Sequence, residues 1–583
     1  MKQRLLAVAL SVVLIGTSLP APARAKDESG DGHKIKHVLL ISIDGMHALD
    51  YENCVASKTC PTLAALGKTG VNYTRTTTSR PSDSFPGLMA LVTGGSPRTV
   101  GAFYDVAYDR VLAPPKTATG NGLPAGNCVQ GQINGTQTEY EEGDSFDETK
   151  VNGGGPYSTF DGGVLSIDPD RLVRDPFNGC KPVYPWNFVR TNTIYGVIHA
   201  AGGFTAWSDK HPVYAVVSGP TGTSSPSNVD DYYSPEVNST VINIPNFKTA
   251  NGTDCSNIAA TAGDDDWTRD FDAIKCYDQL KVNAVVNWIK GKNHLGTGSQ
   301  PVPVIFGMNF QAVSVGQKLI KPKSAIRTDA NSGGYEDAQG TPRPKMLAEI
   351  QFVDAAIGQM VSALGTRGLL DSTTIIITAK HGQSPIDPNR FFPIPGDSGN
   401  NGTPPSGIIG SFLPAVYNDP NNALGLAEDD ISQLWLANSS DTTTAVGLLE
   451  NNAAAAGIGQ ILYGASINTI FNQPGVPDVP GPCCRLREGG DPRTPDIVVL
   501  PNQGVVYTGS LKKQSEHGGF AWDDTNVMLL VSNPDFRHKT IHSFVETAQV
   551  APTILQILGL DPDALDAVRV EGTAVLPGLD KDR

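Results

Sequence analysis

The stretch TTIIITAKHGQSP, Thr373 to Pro385, opens as a β-branched apolar run and closes on Lys380, His381 and Gly382. An unbroken apolar run of this length reads as a strand covered on both faces, the habit of a parallel sheet. A charge and an imidazole at the end of such a strand are costly to place and ask for a reason. The same signature recurs in HVLLISID (His37–Asp44), PVIFGMN (Pro303–Asn309), DIVVLP (Asp496–Pro501) and NVMLLVS (Asn526–Ser532). Between these runs, Lys345–Gly368 carries apolar residues at helical spacing and ends on glycine, and Thr547–Leu560 repeats the pattern. The alternation predicts an α/β fold with a mostly parallel central sheet sandwiched by helices. Residues 111–185, with the acidic patch EYEEGDSFDE, and residues 385–495 break the rhythm. They read as loop-rich insertions on a single domain spanning 26–583.

The chain has 583 residues, 39% hydrophobic and 18% charged, ample for a large core. Its first 25 residues have another character. Lys2 and Arg4 precede the short apolar run LLAVALSVVLIG, and APARA closes with the small-x-small pattern of a leader cleavage site after Ala25. That run is too short to span a bilayer, and no later stretch reads as a membrane span. The expectation is a secreted or periplasmic protein. The net charge of −15 becomes more negative still without Lys2, Arg4 and Arg24. Such acidity argues against nucleic acid or an anionic membrane as the main partner, but allows a small phosphorylated substrate in a locally positive site. The eight cysteines, in an exported chain without a Cys-x-x-Cys pair, favour disulfides over zinc. Sequence neighbours suggest Cys54–Cys60, Cys128–Cys180 and Cys255–Cys276, which leaves the adjacent Cys483 and Cys484.

Ligands of open α/β sheets bind beyond the carboxyl ends of the strands. In chain order Asp44 closes the first run, Lys380 and His381 follow the third, and His517, in SEHGG, precedes the last. Carboxylate and imidazole are the usual ligands of catalytic zinc. In SRPSDSFPGLMALVTGGSP (Ser79–Pro97), Ser84 stands at the start of a helical run, where an anion is favoured and a hydroxyl can be activated as a nucleophile. Each residue also has a plain reading. Asp44 can cap a turn, the histidines can be satisfied packing residues, and Ser84 can be a helix cap.

Taken together, LLISIDGM, SFPGLMALVTGGSPRTVG, VDAAIGQMVSALGTRGLLDSTTIIITAKHG, EHGGF and QVAPTILQILGL resemble the alkaline phosphatase superfamily, and within it the type I phosphodiesterase/nucleotide pyrophosphatase family. The resemblance covers roughly residues 37–110, 190–390 and 495–575. It implies a metal-dependent α/β hydrolase of phosphate esters with a Ser or Thr nucleophile and usually two zinc ions. By resemblance, Ser84 is the nucleophile, Asp44, His381 and His517 are metal ligands, and Asp354 is structural.

Three departures stand against that pattern. Lys380 replaces an aspartate ligand. The stretch Asn309–Leu319 lacks the family's Asp and His, offering Gln311 or Val313, and Gln317. Asp105 lies near the position of an asparagine that holds a phosphoryl oxygen. The expectation is therefore zinc or another divalent metal at fewer than two ions, with Lys380 in a catalytic role supplying positive charge. Asp209 and His211, in WSDKHP, are either additional ligands or part of a surface turn. The expected function is an exported hydrolase of phosphate esters, chiefly phosphodiesters, acting through a covalent phosphoryl-enzyme. The alternatives are a non-catalytic extracellular binding protein and a sulfate or other ester hydrolase of the same superfamily. The sulfatase signature is not found near Ser84.

Overall fold

The computed structural model describes residues 35–118, 124–140, 163–258, 266–320, 331–396, 398–415, 427–471, 491–509 and 513–579. The leader at 1–25, most of the acidic patch, and Cys483 and Cys484 lie outside the described residues.

Nine strands make the central sheet: β1 (His37–Ile43), β2 (Gly70–Thr77), β3 (Ala206–Ser208), β4 (Asp231–Tyr233), β5 (Ile305–Phe310), β6 (Thr373–Thr378), β7 (Asn526–Ser532), β8 (Lys539–Ile541) and β9 (Val545–Glu546). Their order is β8-β2-β7-β6-β1-β5-β3-β4, with β9 also paired to β2. β1 is central and parallel to both neighbours, in the register Leu40↔Ile376 and Leu40↔Gly307. β7 runs antiparallel to β6 and to β2, so the sheet is mostly parallel as expected. A continuous apolar run reports two covered faces; it does not report the direction of the neighbouring strand.

The helices that cover the sheet are α1 (Pro61–Gly67), α2 (Ser84–Thr93), α3 (Phe271–Ile289), α4 (Ala312–Lys318), α5 (Pro344–Thr366) and α6 (Val550–Ile557). Alternate residues of β1 feed the two layers. Leu39, Ile41 and Ile43 face the core built with α3, α4 and α5, whereas Val38 and Leu40 face the core built with α2 and α6. α5 is long and apolar enough to cross a membrane by composition. It packs against α1, α3 and α4, and Met346, Ile350, Val353, Ile357, Met360 and Leu364 are buried there. Asp354 on this helix accepts from the backbone N–H groups of Thr62 (3.1 Å) and Leu63 (2.8 Å), capping α1. That is the structural role expected of it.

DIVVLP belongs elsewhere. Ile497–Pro501 is part of a four-stranded antiparallel sheet with Ala427–Glu428, Ser432–Leu434 and Ile458–Tyr463, which has its own apolar cluster around Leu434, Trp435 and Val498. Buried carboxylates tie this sheet to the main one. Ser384 Oγ donates to Asp430 (2.9 Å), and Tyr104 Oη donates to Asp429 (3.0 Å). Disulfides join Cys54–Cys60, Cys128–Cys180 and Cys255–Cys276, the pairs expected from sequence proximity.

Candidate active site

Asp44 follows β1 directly, and its backbone is held on both sides. Its N–H donates to the carbonyl of Phe310 (3.0 Å), and the N–H of Gly45 donates to that of His381 (3.1 Å). Gly45 has φ +81°, and a Cβ there would lie 2.3 Å from Gln317 Oε1, so only glycine lets the chain turn here. The Asp44 carboxylate is fully buried. Its Oδ1 accepts from Asn309 Nδ2 and its Oδ2 from Gln311 Nε2, both at 2.7 Å. Around the same Oδ2 stand His381 Nε2 at 3.5 Å, Lys380 Nζ at 3.9 Å and Lys210 Nζ at 4.0 Å. Burial pushes this carboxyl up, but Lys380 first, then His381 and Lys210, outweigh it and hold it well below the usual range.

The two lysines come from two strand ends. Lys380 follows β6, is fully buried, and donates to Asp209 Oδ1 (3.1 Å), with its ammonium 4.1 Å from the ring centre of Tyr214. Asp209 follows β3 and also accepts from Trp207 Nε1 (2.9 Å) and from the N–H of Lys210 (2.8 Å). Lys210 extends its ammonium to Ser84 Oγ at 3.1 Å, and 5.7 Å from the centre of the same Tyr214 ring.

Ser84 is the first residue of α2. Its reading as a helix cap fails, because Asp83 is the N-cap and accepts from the N–H of Phe85 (3.2 Å). The seryl hydroxyl is thereby left for Lys210. One turn on, a Cβ at Gly87 would lie 2.2 Å from the carbonyl oxygen of Lys380. Glycine lets the helix start rest directly on the segment that carries the lysine.

The second imidazole lies on the far side of His381. The rings of His381 and His517 are 4.1 Å apart between centres, and His517 Nδ1 is 3.2 Å from Asp83 Oδ1. Burial, then the charges of Lys318, His381 and Lys210, push His517 well below the ordinary imidazole range. Asp105 donates its N–H to Asp83 (3.1 Å), and its carboxylate accepts from the N–H of Val106 (2.7 Å), so it shapes a local turn at the rim. His211 turns to Glu236, with Nδ1 2.8 and 2.9 Å from its two oxygens. Asp209 and His211 are both buried, which overturns the surface-turn reading of WSDKHP. The segment brings Asp209 and Lys210 to Ser84 and Lys380, and gives His211 to Glu236.

A deeper ion pair fixes the segment bearing the two amides. Asp278 accepts from the N–H groups of Gln311 and Ala312, both at 2.8 Å, and Lys281 pairs with Asp278 (3.0 Å) while donating to the carbonyl of Asn309. The centre is nearly closed. Ser84, Asp44, Asp209 and Lys380 have no exposure, and only Lys210 (7%), His517 (9%) and Asp105 (9%) reach the rim.

Lys210, Asn309, Asp83 and Tyr214 did not emerge from the sequence. The signal for Lys210 was available: it stands just past a strand end, as Lys380 does. A search for metal-ligating residue types passes over it and keeps its neighbours Asp209 and His211.

The mostly parallel central sheet and the helices that flank it form an alkaline phosphatase-like α/β fold. The sequence matches the type I phosphodiesterase/nucleotide pyrophosphatase family over residues 38–132 and 236–524, and the chain belongs to that family. Among solved structures, murine ectonucleotide pyrophosphatase/phosphodiesterase 5 has the same fold, with a TM-score of 0.50 at 14% identity over 90% of this chain and 95% of that one. An inactive form of the murine protein in complex with AMP gives a TM-score of 0.48 at 14% identity, and the human protein 0.48 at 13%, each with 90% and 95% coverage. No curated protein matches the sequence significantly.

Membership points to a divalent metal, and the chemistry of the donor set tests whether one fits. Both oxygens of Asp44 accept from amide N–H groups, the Lys380 ammonium stands 3.9 Å from the same carboxylate, and a second ammonium, that of Lys210, donates to the serine. Among the described residues, no group of three or more His, Cys, Asp and Glu side chains is arranged to hold a metal ion. An ammonium has no lone pair to give and repels a cation. The residues present do not fit the family's two-metal centre.

Proposed function

We propose that the chain is an exported hydrolase of phosphate esters, phosphodiesters foremost, with Ser84 as its nucleophile. The observation that carries the reading is the contact between the Ser84 hydroxyl, spared from capping at a helix start, and a buried lysine beside Asp44. Ser84 Oγ attacks phosphorus in line. The Oγ–P bond forms as the bond to the leaving oxygen breaks, and that oxygen takes the electron pair and, in the net reaction, the seryl proton. Water then cleaves the phosphoryl-serine, restores the hydroxyl and releases the phosphate product. Lys380 supplies positive charge toward the oxygens that gain charge in the transition state. Three disulfides support passage through an oxidising compartment, in keeping with a leader removed after Ala25.

The test is turnover of an aryl phosphodiester by the mature protein, with mass spectrometry of the Ser84 peptide after a rapid quench. A phosphoryl adduct on Ser84 is the expected result. A second reading, a non-catalytic binding protein, draws on the complete burial of Ser84 and Lys380 and on the pairing of Lys380 with Asp209. It requires that neither turnover nor adduct be found.

A further inference from the structure

We propose that Lys210 and Lys380 take the place of the family's two metal ions and bind the oxygens of a phosphate group directly, without any metal. The inference rests on the phosphate-ester reading of the same site. It adds Lys210 as the residue that holds the nucleophile.

Four observations carry it. The two ammonium groups stand 3.9 and 4.0 Å from one atom, Asp44 Oδ2, which bridges two cations as a shared carboxylate does in a two-metal centre. Each ammonium also has a contact of its own, Lys380 with Asp209 and Lys210 with Ser84 Oγ. Both approach the ring of Tyr214, so one aromatic side chain backs the pair. Asn309 and Gln311 turn amide N–H groups toward Asp44, which suits a carboxylate surrounded by donors and leaves its oxygens unsuited to ligation.

The charges point the same way. Asp44 and Asp209 balance the two lysines in the resting site, and an ammonium has three N–H donors to share between carboxylate and phosphate. Lysine binds phosphate as a point charge, which needs no fixed coordination geometry. The Lys210 ammonium, donating to Ser84 Oγ, stabilises negative charge developing on that oxygen as it attacks. Lys380, 3.9 Å from Asp44 Oδ2, is the second cation offered to the phosphoryl oxygens. Asp44 thus sets the spacing of two cations, and Lys210 ties one of them to the nucleophile.

The experiment uses the mature, disulfide-bonded protein, treated with EDTA and desalted, with inorganic phosphate and orthovanadate as probes in calorimetric titration. Metal content is measured on the same sample. We expect both anions to bind the metal-free protein, and binding to weaken at least about tenfold in Lys210→Met and in Lys380→Met. Removing one lysine leaves a buried carboxylate uncompensated, so a charge-matched Lys210→Met/Asp44→Asn protein and a Lys210→Arg protein accompany them. Loss in the former with recovery in the latter supports the assignment. Two tightly bound zinc ions, binding that appears only on adding zinc, or binding unchanged in the folded lysine variants overturns it. Turnover separates this inference from the reading beneath it. Activity that needs Ser84 and zinc keeps the hydrolase and removes the lysine pair. Lysine-dependent anion binding without turnover keeps the pair and removes the hydrolase.

Discussion

Replacing Lys380 by aspartate would install the residue that the family resemblance implies there and break this protein's own arrangement. The new carboxylate would join Asp44 and Asp209 in a site without solvent, with one ammonium fewer to balance them. Breaking a buried ion pair costs about 3–5 kcal/mol. Lys380→Asp should lower the urea midpoint by that much stability, and an unchanged midpoint would show that the lysine is not held as described. Ser84→Ala removes only a hydroxyl. It should leave the circular dichroism spectrum intact while turnover falls on the order of a thousandfold or more; near-normal rates in the folded variant would remove Ser84 from the chemistry. At this scale the sequence was legible where a residue broke a pattern, as Lys380 did at the end of β6. It was not legible where contact depended on which strand ends meet. Lys210 and Ser84 are far apart in the chain, and their contact exists only because the end of β3 meets the start of α2.

α2 presents Ser84, the proposed nucleophile, by resting its first turn on the Lys380 segment, and that contact leaves no room for a methyl group. Gly87→Ala should destabilise the protein by about 1–3 kcal/mol through overpacking. It should also depress turnover by lifting Ser84 away from Lys210. Full activity and stability in this variant would contradict the close approach.

The link between the two sheets has a pH signature. Burial, then the charge of Glu516, pushes Asp429 up to about 7, and burial, with the charge of Asp523 adding to it, does the same for Asp524. Glu516 is pulled down to about 2, because Lys318 and Lys513 outweigh its burial. The signs follow from linkage. In the folded state Asp429 and Asp524 hold protons that the unfolded chain releases near pH 4, so their stabilisation is full below that value and is lost as pH rises toward about 7. Glu516 acts oppositely: its stabilisation is present above its unfolded value and is lost as pH falls toward about 2. The thermal midpoint should therefore decline between pH 5 and pH 7.5, and Asp524→Asn should flatten that decline. A midpoint that rises over this interval would count against the buried carboxylates as the cause. The second sheet itself escaped sequence reading because its strands are as short as the two residues Ala427–Glu428, too brief to show a period. Its longest apolar run, Ile497–Pro501, was legible as a strand and misassigned to the main sheet.

Across the whole molecule, the residues of the candidate site are gathered from separate stretches of chain, and among the described residues three disulfides close intervals of 6, 52 and 21 residues. The 52-residue interval should matter most, since longer loops lose more entropy when closed. A Cys128→Ser/Cys180→Ser protein should lose ~2–4 kcal/mol, read as a lower calorimetric midpoint. Equal midpoints would mean that the bridge constrains nothing. The overall architecture was legible because long apolar runs and a helical period survive in one dimension. The pairing order of the strands was not, because it is decided by packing between segments hundreds of residues apart.

The two lysines carry one consequence for how this protein comes into being. An ion must be captured after folding, and its supply depends on the surroundings; a side chain is installed at the ribosome. A centre charged in this way is complete at the moment its strands meet. On the proposed lysine pair, the number of native molecules and the number of competent ones would be a single quantity, in metal-starved surroundings as in rich ones.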